Sequence, residues 1–220
     1  MTESTQTPTV HLVVLEGMPA RPFDDLESEL ASSNIVFRRT VRSNTPYAAL
    51  ELFIPPAVIV ALAVNSLFKA FFEEAGKAGY KALEGAIKKL SKRVLGDNGP
   101  DVELTGTPGK LPDVPRYSHR IGVIANFDGG TSIRLVFTPG EDPAPALTRF
   151  FELLNQLHGP DADNVTIAGD SGNGRHGLFV RYNADLDALV FINPLAGTPA
   201  DTARDASSSS EVRKDEKPSL

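Results

Sequence analysis

The 41 residues from Phe53 to Arg93, FIPPAVIVALAVNSLFKAFFEEAGKAGYKALEGAIKKLSKR, constrain the fold more than any other part of the chain. They begin almost purely apolar and end basic. Between Glu51 and Lys69 lie 17 uncharged residues, Leu52 to Phe68. A membrane-crossing helix needs about 20 apolar residues to match a hydrocarbon core about 30 Å thick. Pro55 and Pro56 suit a helix start, not a helix interior, so a continuous helix is expected from about Pro56. From there to Phe68 is 13 residues, about 20 Å at 1.5 Å per residue, which falls short of a simple span.

Beyond Phe68 the pattern becomes a one-sided stripe. Val64, Phe68, Phe71, Ala75, Ala78, Ala82, Ala86 and Leu90 recur three or four apart, with Lys69, Glu73, Lys77 and Lys81 on another face. That spacing predicts a helix buried along one side. Its middle is rich in small residues, and Gly76, Gly79 and Gly85 each cost about 1 kcal/mol in a helix interior. Close approach of a neighbouring element is the expected reason for them. The segment is thus expected to be a long helix, or a broken pair, packed on a sheet.

The rest of the chain supplies that sheet. VHLVVLEG (10–17) and NIVFRRTV (34–41) read as strands, with a helix over 22–33 that buries Phe23, Leu26 and Leu30 between them. Arg38 and Arg39 then project to opposite sides of their strand. Two runs flank Asp-Gly-Gly (128–130), a strong hairpin signal because both turn positions tolerate positive φ. DPAPALTRFFELLNQLHG (142–159) carries Ala146, Phe150, Leu153, Leu154 and Leu157 at helical spacing, with Pro143 at its entry and Gly159 at its exit. VTIAG, GLFVRY and DALVFINPL (187–195) read as further strands.

The expected fold class is α+β, with short antiparallel hairpins packed with a long amphipathic helix and a second, shorter helix. The expected divisions are a disordered lead (1–9), a strand–helix–strand unit with the long helix (10–95), a Gly/Pro-rich linker (96–119), antiparallel strands with one helix (120–196), and a disordered tail (197–220).

Composition removes several chemistries. The chain has 220 residues, no cysteine and no tryptophan. Disulfides and thiolate metal sites are therefore excluded. The formal net charge is −6, which argues against broad binding of a phosphate backbone. No cofactor and no metal site is expected, and nucleic acid is not the expected partner.

GDSG (169–172) resembles the nucleophile loop of trypsin-like serine proteases. The similarity covers four residues. That family continues with Gly-Pro, where this chain has NGRHG, and it carries a histidine in an Ala-Ala-His-Cys setting that this chain lacks. GTPGK (106–110) is similar to a phosphate-binding loop, but Leu111 and Pro112 follow Lys110 where the pattern needs Ser or Thr and a helix.

The leading expectation for function is a non-enzymatic interaction or scaffold module. It would meet a protein partner or a second copy through Phe53, Ile54, Val58, Leu62, Phe68 and Phe72. One alternative is a peripheral membrane adaptor using the apolar 53–72 segment, with Lys88, Lys89, Lys92 and Arg93 as a basic patch toward anionic lipid, each worth about 1 kcal/mol there. Another is a small hydrolase built from His119, Asp170, Ser171 and His176. The expected location is cytoplasmic, at a membrane under the adaptor reading.

Overall fold

The computed structural model describes residues 9–31, 35–44, 56–64, 76–102, 117–127, 130–157 and 177–192. Seven strands form one mixed sheet. They are β1 (Thr9–Leu15), β2 (Val36–Arg42), β3 (Val58–Val64), β4 (Ile121–Phe127), β5 (Ser132–Leu135), β6 (Leu178–Asn183) and β7 (Ala188–Ile192). The order across the sheet is β2-β1-β3-β4-β5-β6-β7. Strands from both halves of the chain are therefore hydrogen-bonded into a single layer. The described helices are α1 (Arg21–Leu30), α2 (Gly76–Leu95) and α3 (Pro143–Gln156).

This architecture overturns the expected hairpin fold. β1 with β2, β3 with β4, and β5 with β6 are parallel pairs. Parallel neighbours cannot be joined by a tight turn; they need a crossover, usually a helix. α1, α2 and α3 each lie in one of these crossovers, so the described elements form three strand–helix–strand units in succession, closed by β7. Antiparallel contacts join the units to each other and join β7 to β6. The pairing of β4 with β5, the strands flanking the expected hairpin, is among them; Asp128 and Gly129 themselves lie outside the described residues.

The largest correction falls on the apolar stretch. Val58–Val64 is a strand in the interior of the sheet, not the front of a helix. Val58, Ile59, Val60 and Val64 are β-branched, which stiffens the side chain and favours a pleated surface over a helix. The following helix is described only from Gly76 onward. Its buried face also differs from the expected stripe. Leu83, Ala86, Ile87, Leu90 and Val94 are buried, whereas Ala82 is exposed. Leu83 and Ile87 have more apolar surface to hide than alanines do, so they set the rotation of the helix. Gly85 is not there for close approach, since a Cβ built on it would meet nothing within 4 Å.

One hydrophobic core joins the helices to one face of the sheet. It includes Val10, Leu12 and Val14 of β1, Val58, Val60 and Leu62 of β3, and Phe23, Leu90, Phe150 and Phe151 from the helices. α1 packs beside α2, and α2 beside α3, so all three lie on this face. A topological consequence follows from strand order and direction. β1-α1-β2 and β3-α2-β4 turn in one sense, but β5-α3-β6 steps across the sheet the other way for its direction. With its helix on the shared face, the third crossover has the opposite hand to the first two. Had all three kept one hand, α3 would lie on the second face. No described helix covers that face.

The expected linker is described only at 96–102 and 117–119, where no strand forms. The lead before Thr9, the VTIAG run and the tail lie outside the described residues.

Candidate functional site: the second face of the sheet

Alternation along each strand decides what the second face presents. On β2, Arg39 turns to the helices and donates to Asp24 of α1 at 2.7 Å. Arg38, Thr40 and Arg42 turn the other way. Register then places Arg38 beside His11, His11 beside Ala61, Ala61 beside Ile124, Ile124 beside Arg134, and Arg134 beside Phe179. This row runs from β2 to β6. Arg181 stands on the same face two residues beyond Phe179. At about 4.8 Å per strand, Arg38 and Arg134 bracket a floor roughly 19 Å across.

The floor is apolar and low. Val13, Ile59, Ala61, Ala63 and Ile124 are half-buried. Gly122 contributes no side chain, and a Cβ there would come within 2.9 Å of Pro56. β3 reads VIVALAV, apolar on both faces. Such continuous runs belong to strands covered on both sides. The helices cover only one.

Charge is sorted between the two faces. No described strand carries an aspartate or glutamate, while Arg38, Arg39, Arg42, Arg134 and Arg181 are all strand residues. The helix layer holds most of its cations in ion pairs, although Arg21 and Lys81 have no carboxylate partner among the described residues. Lys88 meets Glu84 at 2.5 Å and also donates to Thr148 at 2.7 Å. Lys89 meets Glu29 at 3.1 Å, Lys92 meets Asp142 at 3.6 Å, and Arg93 meets Asp25 at 2.6 Å. The four residues of the expected basic patch thus carry matched counter-charges. On the second face, Arg38, Arg134 and Arg181 have no carboxylate partner among the described residues.

Two of the cations on this face have neutral supports. The Arg134 guanidinium lies 5.2 Å from the centroid of the Phe179 ring, a cation–π arrangement. Burial pushes the Arg134 pKa down from its ordinary value. Its charge is partly desolvated without an anion beside it. His11 Nε2 lies 2.8 Å from Thr40 Oγ1, and Arg42 donates to the Pro56 carbonyl at 2.6 Å. Tyr117, Val136 and Phe179 form a small apolar cluster, with Ile192 against it.

The other expected residues are dispersed or undescribed. Val58 and Leu62 are 0% exposed inside the core, where neither lipid nor a partner reaches them. Phe53, Ile54, Phe68 and Phe72 lie outside the described residues, as do Asp170, Ser171 and His176. His119 is half-buried just before β4, and its carbonyl accepts from the Ala57 amide at 2.7 Å. Among the described residues, no three His, Asp or Glu side chains converge as a metal site requires. No described helix is long and apolar enough to cross a membrane. A cleft of about 620 Å³ opens between the start of α1 and the end of α2. Its lining includes Lys92 and Arg93, both already ion-paired.

The signal missed in the sequence is the absence of acidic residues from every described strand. It becomes visible only once 58–64 is read as a strand. Comparison of the chain with protein-family models, curated proteins and solved structures finds no match.

Proposed function

We propose that this chain is a non-enzymatic interaction module that holds an acidic protein segment on the second face of its sheet. The supporting observation is the sorting of charge. The helix layer pairs most of its described cations, while the second face carries Arg38, Arg134 and Arg181 without a carboxylate on any described strand to meet them. The apolar floor between them favours a segment that is itself amphipathic. A helix is about 10 Å wide with side chains, so one fits between arginines roughly 19 Å apart. Its apolar stripe would rest on Ile59, Ala61 and Ile124, with carboxylates along both flanks.

A nucleic acid is the weaker occupant. Single strands are held by exposed aromatic platforms beside cations, and Phe179 is 4% exposed beneath Arg134.

The test uses a fluorescent helical peptide with a leucine stripe flanked by glutamates, followed by anisotropy. It should bind, and a lysine-flanked version should not. Arg134→Glu with Arg181→Glu should weaken binding on the order of tenfold, equivalent to about 1.4 kcal/mol. Equal binding of both peptides would overturn the proposal. So would binding of a single-stranded oligonucleotide in place of the acidic peptide.

A further inference from the structure

The two edges of the sheet differ in a way that points to self-association. A sheet edge presents a row of main-chain donors and acceptors, and natural edges are guarded by charge, proline or a covering element. β2, at one edge, carries Arg38, Arg39 and Arg42 in seven residues. Two such strands brought together would set like charges against each other. β7, at the other edge, reads ALVFI. It has no charge, no proline and no glycine, and none of the described strands pairs with its outer side.

We propose that β7 pairs antiparallel with β7 of a second copy, giving a two-fold dimer with one continuous fourteen-stranded sheet. An acidic or basic segment gains nothing from an uncharged strand. The matching occupant is another apolar strand with a free edge, and among the described residues the only edge strand of that kind is β7 itself. Antiparallel pairing of a strand with its own copy closes under two-fold symmetry, so the contact ends at two chains. The axis stands perpendicular to the sheet. It therefore leaves both helix layers on one side and joins the two second faces into one surface. The proposal does not depend on what that face binds.

The absence of cysteine from the chain makes the experiment clean. Sedimentation of the intact protein across the micromolar range should show a reversible monomer–dimer equilibrium, and Val190→Lys should shift it to monomer with an unchanged circular dichroism spectrum. Single-cysteine variants report the geometry directly. Val190→Cys should form a covalent dimer under mild oxidation, while Val41→Cys, on the β2 edge, should remain monomeric at the same concentration. If Val190→Lys fails to fold, the cysteine pair decides alone. A wild-type chain monomeric throughout would overturn the proposal, as would equal cross-linking at both edges or a dimer that Val190→Cys does not capture.

Discussion

Arg38 and Arg39 are consecutive residues on β2 that face opposite sides of the sheet. Arg39 is bound to Asp24 of α1 at 2.7 Å, while Arg38 has no carboxylate partner among the described residues. One residue of register separates a cation that helps seat a helix from a cation that presents its charge on the second face. Their replacement by alanine should therefore have different consequences. Arg39→Ala should lower stability by about 0.2–1 kcal/mol, the range for an exposed ion pair, and leave binding of the acidic peptide unchanged. Arg38→Ala should leave stability within about 0.5 kcal/mol and weaken the peptide. Urea titration and anisotropy on the same two variants separate these effects. A matching loss of binding in both would remove the distinction between the faces.

Gly85 gives a gain where most substitutions give a loss. It lies inside α2, and a Cβ built on it meets nothing within 4 Å. Glycine costs about 1 kcal/mol relative to alanine in a helix interior. Gly85→Ala should raise stability by about that amount, and the melting temperature by roughly 2–4 °C for a chain of this size. A decrease would mean that an undescribed part of the chain packs against this position.

Leu62 tests the reassignment of the apolar stretch. It is 0% exposed on β3, in register with Val10 on one side and Ala125 on the other. Leu62→Ala should cost about 2–5 kcal/mol, as core truncations of this kind do. Leu186, 64% exposed in the turn before β7, provides the control. Leu186→Ala should change stability by no more than about 0.5 kcal/mol. Equal effects at the two positions would argue against β3 as an interior strand.

The reading of β3 also shows where sequence patterns run out. The helix over 143–156 was legible because its apolar residues recur at helical spacing and a proline marks its start. β1, α1 and β2 were legible for similar reasons. Val58–Val64 was not, because an unbroken apolar run has no period. A strand covered on both faces and the core of a helix look alike in such a run. The β-branched residues arbitrate, but the helical stripe that follows directly blurs the boundary between strand and helix. Parallel pairing was hidden for another reason: strand direction depends on where crossovers pass, and no local residue states that. The second face was then invisible as a unit, because Arg38, Arg134 and Arg181 come together only through the register of the five strand pairs from β2 to β6.

The β6–β7 turn supplies a pH-dependent element at the edge proposed to dimerise. Asp187 accepts from Tyr182 at 2.7 Å and pairs with Arg149 of α3. Arg149 first, and Tyr182 second, hold its pKa below the ordinary 3.8. A carboxylate with a depressed folded pKa contributes stability that is present above the unfolded value. That contribution is lost as pH falls below 3.8 through the folded value. Asp187 also adopts φ of 45°, which asparagine tolerates better than alanine does. Asp187→Asn should therefore flatten the acid limb of stability while keeping the turn. Asp187→Ala should do the same and add a pH-independent backbone cost, because alanine tolerates a positive φ less well than aspartate or asparagine. Urea midpoints measured from neutral pH down through 3.8 distinguish the two. If both variants kept the wild-type acid limb, the Arg149–Asp187–Tyr182 contact would have no part in holding β7 against α3.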